Sequence, residues 1–134
     1  MAELAAVVGI GQTKYQTKRS DVSIAGLVRE AAMNALNDAG LVWDDIDAVI
    51  LGKAPDMFEG VVMPVLCLTD ALGCNGKPMI RVHTAGSVGG STAIVAASHV
   101  QSGVFKRVLT VTFEKQSESN AMWALSNPQP FSPH

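Results

Sequence analysis

Aromatic and charged residues are both scarce in this chain, at 5% and 16% of its 134 residues. The net charge is only −2 and no run of Lys or Arg occurs, so the electrostatic footprint of a nucleic-acid partner is missing. Cysteine is limited to Cys67 and Cys74, both in apolar or glycine-rich surroundings. That excludes a disulfide-framed secreted domain and points to unpaired thiols in a reducing cytoplasm. No apolar run reaches the length of a membrane span, and Met1-Ala2-Glu3-Leu4 has no basic stretch leading into a long apolar one. Neither a membrane segment nor a secretory signal is expected. Three histidines and two cysteines without ligand spacing give no expectation of a metal.

Small aliphatic residues take the place of what is missing, and the apolar fraction reaches 48%. One domain with an aliphatic core fits the length, with further surface buried against another subunit. Ala5 to Ile10 is a continuous apolar run ending in Gly9-Ile10-Gly11, the pattern of a buried parallel strand. Ser23 is placed to cap a helix whose broad apolar face includes Leu27, Val28, Ala31, Ala32 and Leu36, and Gly40 supplies its stop. Ala48 to Leu51 reads as a second buried strand, completing a strand–helix–strand crossover. Val61 to Leu72 is expected as a shorter helix with Pro64 in its first turn and Gly73 at its end. Met79 to Val82 is a third strand, Gly89 or Gly90 to Ser102 a helix apolar nearly all round, and Val108 to Phe113 a fourth strand. Beyond Phe113 the pattern dissolves into the polar run 114–120, one apolar turn at 121–125 and a proline-rich stretch. The expected organisation is a core over residues 1–113 and the start of a loop region over 114–134, with an exposed sheet edge and an apolar helix that a larger fold would cover.

The segment from Arg81 to Ala93 carries the chemistry. A strand passes through His83-Thr84-Ala85-Gly86-Ser87-Val88 into a buried-type helix, whose positive end would lower the pKa of a thiol or stabilise an oxyanion at the turn. Gly86, Gly89 and Gly90 either admit a substrate close to the backbone or let the helix pack tightly on its sheet. Ser87 has Gly89 two residues after it but Ala85 two residues before, so it does not stand in a nucleophile elbow, and no base is identifiable for it. His83 is the one candidate proton carrier, although a satisfied buried histidine is the more ordinary reading. Packing is the default for His99, Cys67 and Cys74. Met122 is a further candidate for the substrate-binding wall. Gly9-Ile10-Gly11 lacks the third glycine of a dinucleotide fingerprint.

Together, Val8-Gly9-Ile10-Gly11-Gln12-Thr13-Lys14-Tyr15, Ala39-Gly40-Leu41 with Asp45-Ile46-Asp47-Ala48-Val49, and Gln101-Ser102-Gly103 with Val108-Leu109 and Phe113-Glu114-Lys115 resemble the thiolase superfamily. The resemblance is to the sterol carrier protein type thiolases, or lipid-transfer proteins, and covers nearly the whole chain. It implies an α/β fold: the N-terminal part of a thiolase-like half, a mostly parallel sheet with helices on both faces. Each half of such proteins has the strand order three-two-one-four-five. It also implies that the motifs polarising the thioester, and the second cysteine that moves protons, lie on sequence beyond this chain.

Run ungapped through the active-site turn, the resemblance places Gly86 where the family has its nucleophilic cysteine; one gap would place Ser87 there instead. Neither is a thiol, and Gly86 has nothing to acylate. The departure is similar to that of a cysteine-less clade of retro-aldol lyases acting on steroid side-chain CoA thioesters, commonly with an OB-fold partner. The resemblance thus implies acyl-CoA as ligand, coenzyme A as part of the substrate and no covalently held cofactor. It places Gly86, Ser87 and Gly89 at the reacting end with His83 nearby, in a homo-oligomer or a heteromer with a complementary half. A non-catalytic acyl-CoA-binding or scaffold subunit is the alternative, and an ordinary thiolase acylated at Ser87 a third reading.

Overall fold

The structure is a computed structural model that describes residues 4–54 and 63–118. Three parallel strands form its sheet: β1 (Ala48–Gly52), β2 (Met79–Val82) and β3 (Val108–Thr112), in the order β2-β1-β3. Helix α1 (Ile24–Ala39) precedes β1, α2 (Pro64–Leu68) lies between β1 and β2, and α3 (Val88–Gln101) connects β2 to β3 across β1.

Helix α1 begins and ends where its caps dictate. Ser23 Oγ accepts a hydrogen bond from the Gly26 amide at 3.1 Å, and Gly40 takes the left-handed conformation at φ 66°. Its inner face sets Val28, Ala32 and Leu36 against Val49 and Leu51 of β1 and Leu109 and Val111 of β3, with Leu68 and Leu72 closing the same cluster. Alternation along β1 turns Ala48, Ile50 and Gly52 to the opposite face, where α3 lies. All five residues of β1 are buried, as a central parallel strand requires, and burial of Ile50 and Leu51 each contributes about 1.5–3 kcal/mol. The arrangement is the mostly parallel sheet with helices on both faces that the sequence implies.

The N-terminal run departs from expectation. Residues 5–10 form no strand and pair with none among the described residues, and Val7, Val8 and Ile10 are exposed. The Ile10 amide donates instead to Asp38 Oδ2 of α1 at 2.9 Å, and Asn34 Nδ2 of α1 donates to the carbonyl of Gln12, just past the run, at 3.0 Å. Contact with α1 is so close that a β-carbon on Gly11 would stand 2.4 Å from the Ala31 carbonyl oxygen. Docking on the helix has replaced docking in the sheet. As a result β1 pairs directly with β3, and the place between them expected for the first strand in a three-two-one-four order is closed.

The second helix is only Pro64–Leu68, continued by turns to Gly73 at φ 57°. The third starts at Val88, one residue before the expected glycine, after a 3-10 turn over Ala85–Ser87. The apolar turn at 121–125, with Met122, lies outside the described residues.

Candidate functional site

Because all three strands are parallel, the segments that follow them share one edge of the sheet, where sites gather in such folds. The turn 83–87 leaves β2 at that edge, Lys53 and Ala54 leave β1, and Phe113 to Ser117 leave β3.

The backbone of the turn is strained at one residue. Ala85 has φ 47°, a left-handed conformation that typically costs about 1–3 kcal/mol in a residue with a β-carbon. Ser87 does not cap α3 with its side chain; its hydroxyl donates to the Thr84 carbonyl at 2.7 Å, while Thr84 Oγ1 bonds Ser91 Oγ at 2.8 Å. That hydrogen bond directs the Ser87 proton to a carbonyl rather than to a base, which argues against a nucleophilic role.

Gly86, Gly89 and Gly90 face open space: a β-carbon built on any of them meets nothing within 4 Å. Tight packing on the sheet is therefore not what these glycines serve. That role falls to Gly52, where a β-carbon would come within 2.1 Å of Thr92 Oγ1. Thr92 is fully buried and its hydroxyl donates to the Val88 carbonyl at 2.6 Å, which seats the first turn of α3 over β1. The result is a helix N-terminus with an open, side-chain-free approach. His83 stands at its start and is exposed, in contrast to the satisfied buried histidine that was the ordinary expectation. A strand that short, at the sheet margin, leaves the residue after it outside the core. Gly86, Ser87, Gly89 and His83 thus come together at one turn.

Lys53 was not foreseen. Its side chain is wholly buried and lies 3.6 Å from Glu114 Oε2, with the Phe113 ring 5.9 Å from its ammonium group. Glu114 Oε1 also accepts from the Ala54 amide, so one carboxylate ties the end of β3 to the end of β1. Lys115 is buried too, with its ammonium group bonded to the Val22 carbonyl and to Glu118. The start of the polar run 114–120 is therefore drawn into the fold rather than solvated.

Among the cysteines, Cys74 is buried and desolvation pushes its thiol up from the usual value, as suits an inert core residue. Cys67 is exposed, contrary to the core role expected of it, because the short α2 turns it outward. His99 packs on Phe105, ring centroids 5.7 Å apart. Among the described residues no group of three His, Cys, Asp or Glu side chains is placed to hold a metal, and no helix is long and apolar enough to cross a membrane.

No protein-family model matches the chain. Against solved structures, it superposes on 3-oxoacyl-[acyl-carrier-protein] synthase III from Aquifex aeolicus with a TM-score of 0.65 at 25% identity, over 75% of this chain and 32% of that one. The fold is thiolase-like. Relatives of this thiolase-like chain include an acetyl-CoA acetyltransferase of Methanothermobacter thermautotrophicus, 30% identical over 114 residues that make up 84% of this chain and 30% of the relative. Sterol carrier protein 2 of Gallus gallus is 25% identical over 85% of this chain and 20% of its own length. The thiolase-like chain thus spans from a fifth to about a third of the proteins it matches.

Proposed function

We propose that this chain is the N-terminal portion of a thiolase-like protein, or one subunit of it, that cleaves a carbon–carbon bond in an acyl-CoA thioester without a nucleophilic cysteine. The observation that carries this reading is the open turn: Gly86, Gly89 and Gly90 offer backbone and free space at a helix N-terminus, where a thiolase needs a thiol. Acyl transfer through a covalent intermediate has no nucleophile there, whereas a retro-aldol step needs none. A base removes the proton of a β-hydroxyl, the Cα–Cβ bond breaks, and its electron pair moves onto the thioester carbonyl as an enolate. The carbonyl product departs and a proton returns to Cα. The α3 amides and dipole favour the enolate oxygen. His83 is the proton carrier within reach of the turn, and further acid–base groups come from the complementary part of the fold.

Sterol or fatty-acid degradation in a cytoplasmic setting is the context we assign. The whole protein would work as a homo-oligomer, or as a heteromer with a complementary thiolase half and an OB-fold partner. In this reading residues 1–113 belong to the core and 114–134 to the start of the loop region, and Met122 is a candidate substrate contact.

The test is incubation of the chain, with whatever protein copurifies from its native source, with a β-hydroxyacyl-CoA, followed by product analysis and intact-mass measurement. The expected result is a shortened acyl-CoA with no adduct on this chain, unchanged in Ser87→Ala. An acyl adduct at Ser87 would restore the ordinary thiolase reading. Acyl-CoA binding without turnover in the complete assembly would favour the non-catalytic subunit.

A further inference from the structure

The outer side of β3 opens into a groove of about 410 Å³. Residues 5–11 form one wall and β3 the other; Ala31 and Ala35 of α1 stand on one face, and Ala93, Ala97 and Val100 of α3 on the opposite one. No charged side chain lines it. Among the described residues β3 pairs with β1 alone, so the amides and carbonyls on its outer side meet no strand. Proteins commonly blunt such an edge with Lys or Pro, and Val108–Thr112 carries neither. A slot with an unpaired edge along one wall and small aliphatic side chains on both faces suits a strand that is itself apolar on both faces.

The chain holds such a run without a strand partner among the described residues. Leu4-Ala5-Ala6-Val7-Val8 is apolar throughout rather than alternating, and Leu4, Val7, Val8 and the nearby Ile10 are 87, 84, 68 and 74% exposed. It stands on the wall of its own groove and does not fill it, because the residues that follow are seated on α1. A β-carbon on Gly9 would come within 2.6 Å of the Ala35 carbonyl oxygen, the Ile10 amide bonds Asp38 and the Gln12 carbonyl bonds Asn34. We propose that the groove receives residues 4–8 of a second copy of this chain, and that the exchange is reciprocal. Run and slot lie side by side on one molecule, so a two-fold axis between them satisfies both at once, as an isologous dimer requires. The two runs then stand next to each other between the two β3 edges, within one sheet shared by both copies. On the usual area scale the four exposed side chains carry about 350 Å² of apolar surface. Covered in each copy together with the groove surface that receives them, they remove about 1,400 Å² from water in total, the size of a specific interface.

Sedimentation and disulfide trapping of the full chain test this. The native chain is expected to form dimers at micromolar concentration, and Val7→Lys/Val8→Lys to weaken their association at least about tenfold with the fold of the dilute chain, read by circular dichroism, unchanged. For trapping, Thr110→Cys in one tagged chain is mixed with Val7→Cys or Val8→Cys in a differently tagged one, all in a Cys67→Ser background that removes the exposed native thiol. Oxidation is expected to join the two differently tagged chains. A chain that stays monomeric overturns the proposal, as does a dimer indifferent to the two lysines. Val8→Cys/Thr110→Cys that closes only within one chain shows the groove to be filled by its own run, and a monomer carrying a copurifying apolar molecule in native mass spectrometry shows it to be a ligand site; either result also overturns the proposal.

Discussion

Thr92 Oγ1 occupies the space that a β-carbon on Gly52 would need: the two would stand 2.1 Å apart. The hydroxyl cannot yield freely, since Thr92 is fully buried and bonded to Val88. Gly52→Ala is therefore expected to destabilise the chain by about 1–3 kcal/mol through overpacking. Chemical denaturation of Gly52→Ala, Thr92→Ala and the double variant checks this. The double variant should be more stable than the sum of the singles predicts; strict additivity would show that the two residues do not set the seat of α3.

The Lys53–Glu114 pair joins the ends of β1 and β3 across the sheet edge. Loss of either member breaks this ion pair at a largely buried position, so Lys53→Met and Glu114→Gln should each lower stability, by up to about 3 kcal/mol. Lys53→Met combined with Glu114→Gln should recover part of that loss. A single substitution without measurable effect on the urea midpoint would show the pair to be dispensable.

Asp47 accepts the amides of Lys106 and Arg107, both at 2.8 Å, and these bonds hold its carboxyl below the usual carboxylate value. The unfolded chain takes up this proton at a higher pH than the folded one. The associated stabilisation is complete above the ordinary carboxylate range and is lost as pH falls through the depressed folded value. Asp47→Asn should flatten that acid limb of the stability profile and lower stability at neutral pH; an unchanged acid limb contradicts the assignment.

Leu4, Val7, Val8 and Ile10 on the N-terminal segment, and Ile94 on α3, are all more than two-thirds exposed. Such apolar surface favours association. Light scattering of the isolated chain at low micromolar concentration should report oligomers or aggregates, and Ile94→Glu should raise the monomer fraction. A stable monomer would contradict the expectation.

Local signals made most of the scaffold legible. Ser23 and Gly40 bracket α1; the run at 48–52 is a strand buried on both faces, and those at 79–82 and 108–112 are its two neighbours, where Arg81, Thr110 and Thr112 suit partly exposed edges. The same signal failed at 5–10, where the run is as apolar but Gly9, with Gly11 just after it, allows close contact with α1 in place of a neighbouring strand. The turn at 83–90 was legible as a site, yet whether its glycines packed or opened depended on the placement of α3, which Gly52 and Thr92 decide from outside the motif. Lys53 carried no local signal at all: its partner Glu114 lies just past the end of a strand distant in sequence, and the parallel pairing of β1 with β3 brings the two together.

The most direct test of the account is the acyl-CoA affinity of Gly86→Leu in the native assembly. The structure leaves open space at this position and Gly86 has no left-handed φ, so the variant should fold with an unchanged thermal midpoint. The leucine should fill the approach to the turn and weaken acyl-CoA binding by at least tenfold, about 1.4 kcal/mol. Native affinity and turnover in that variant would contradict it, because the thioester would then be held somewhere other than at Gly86.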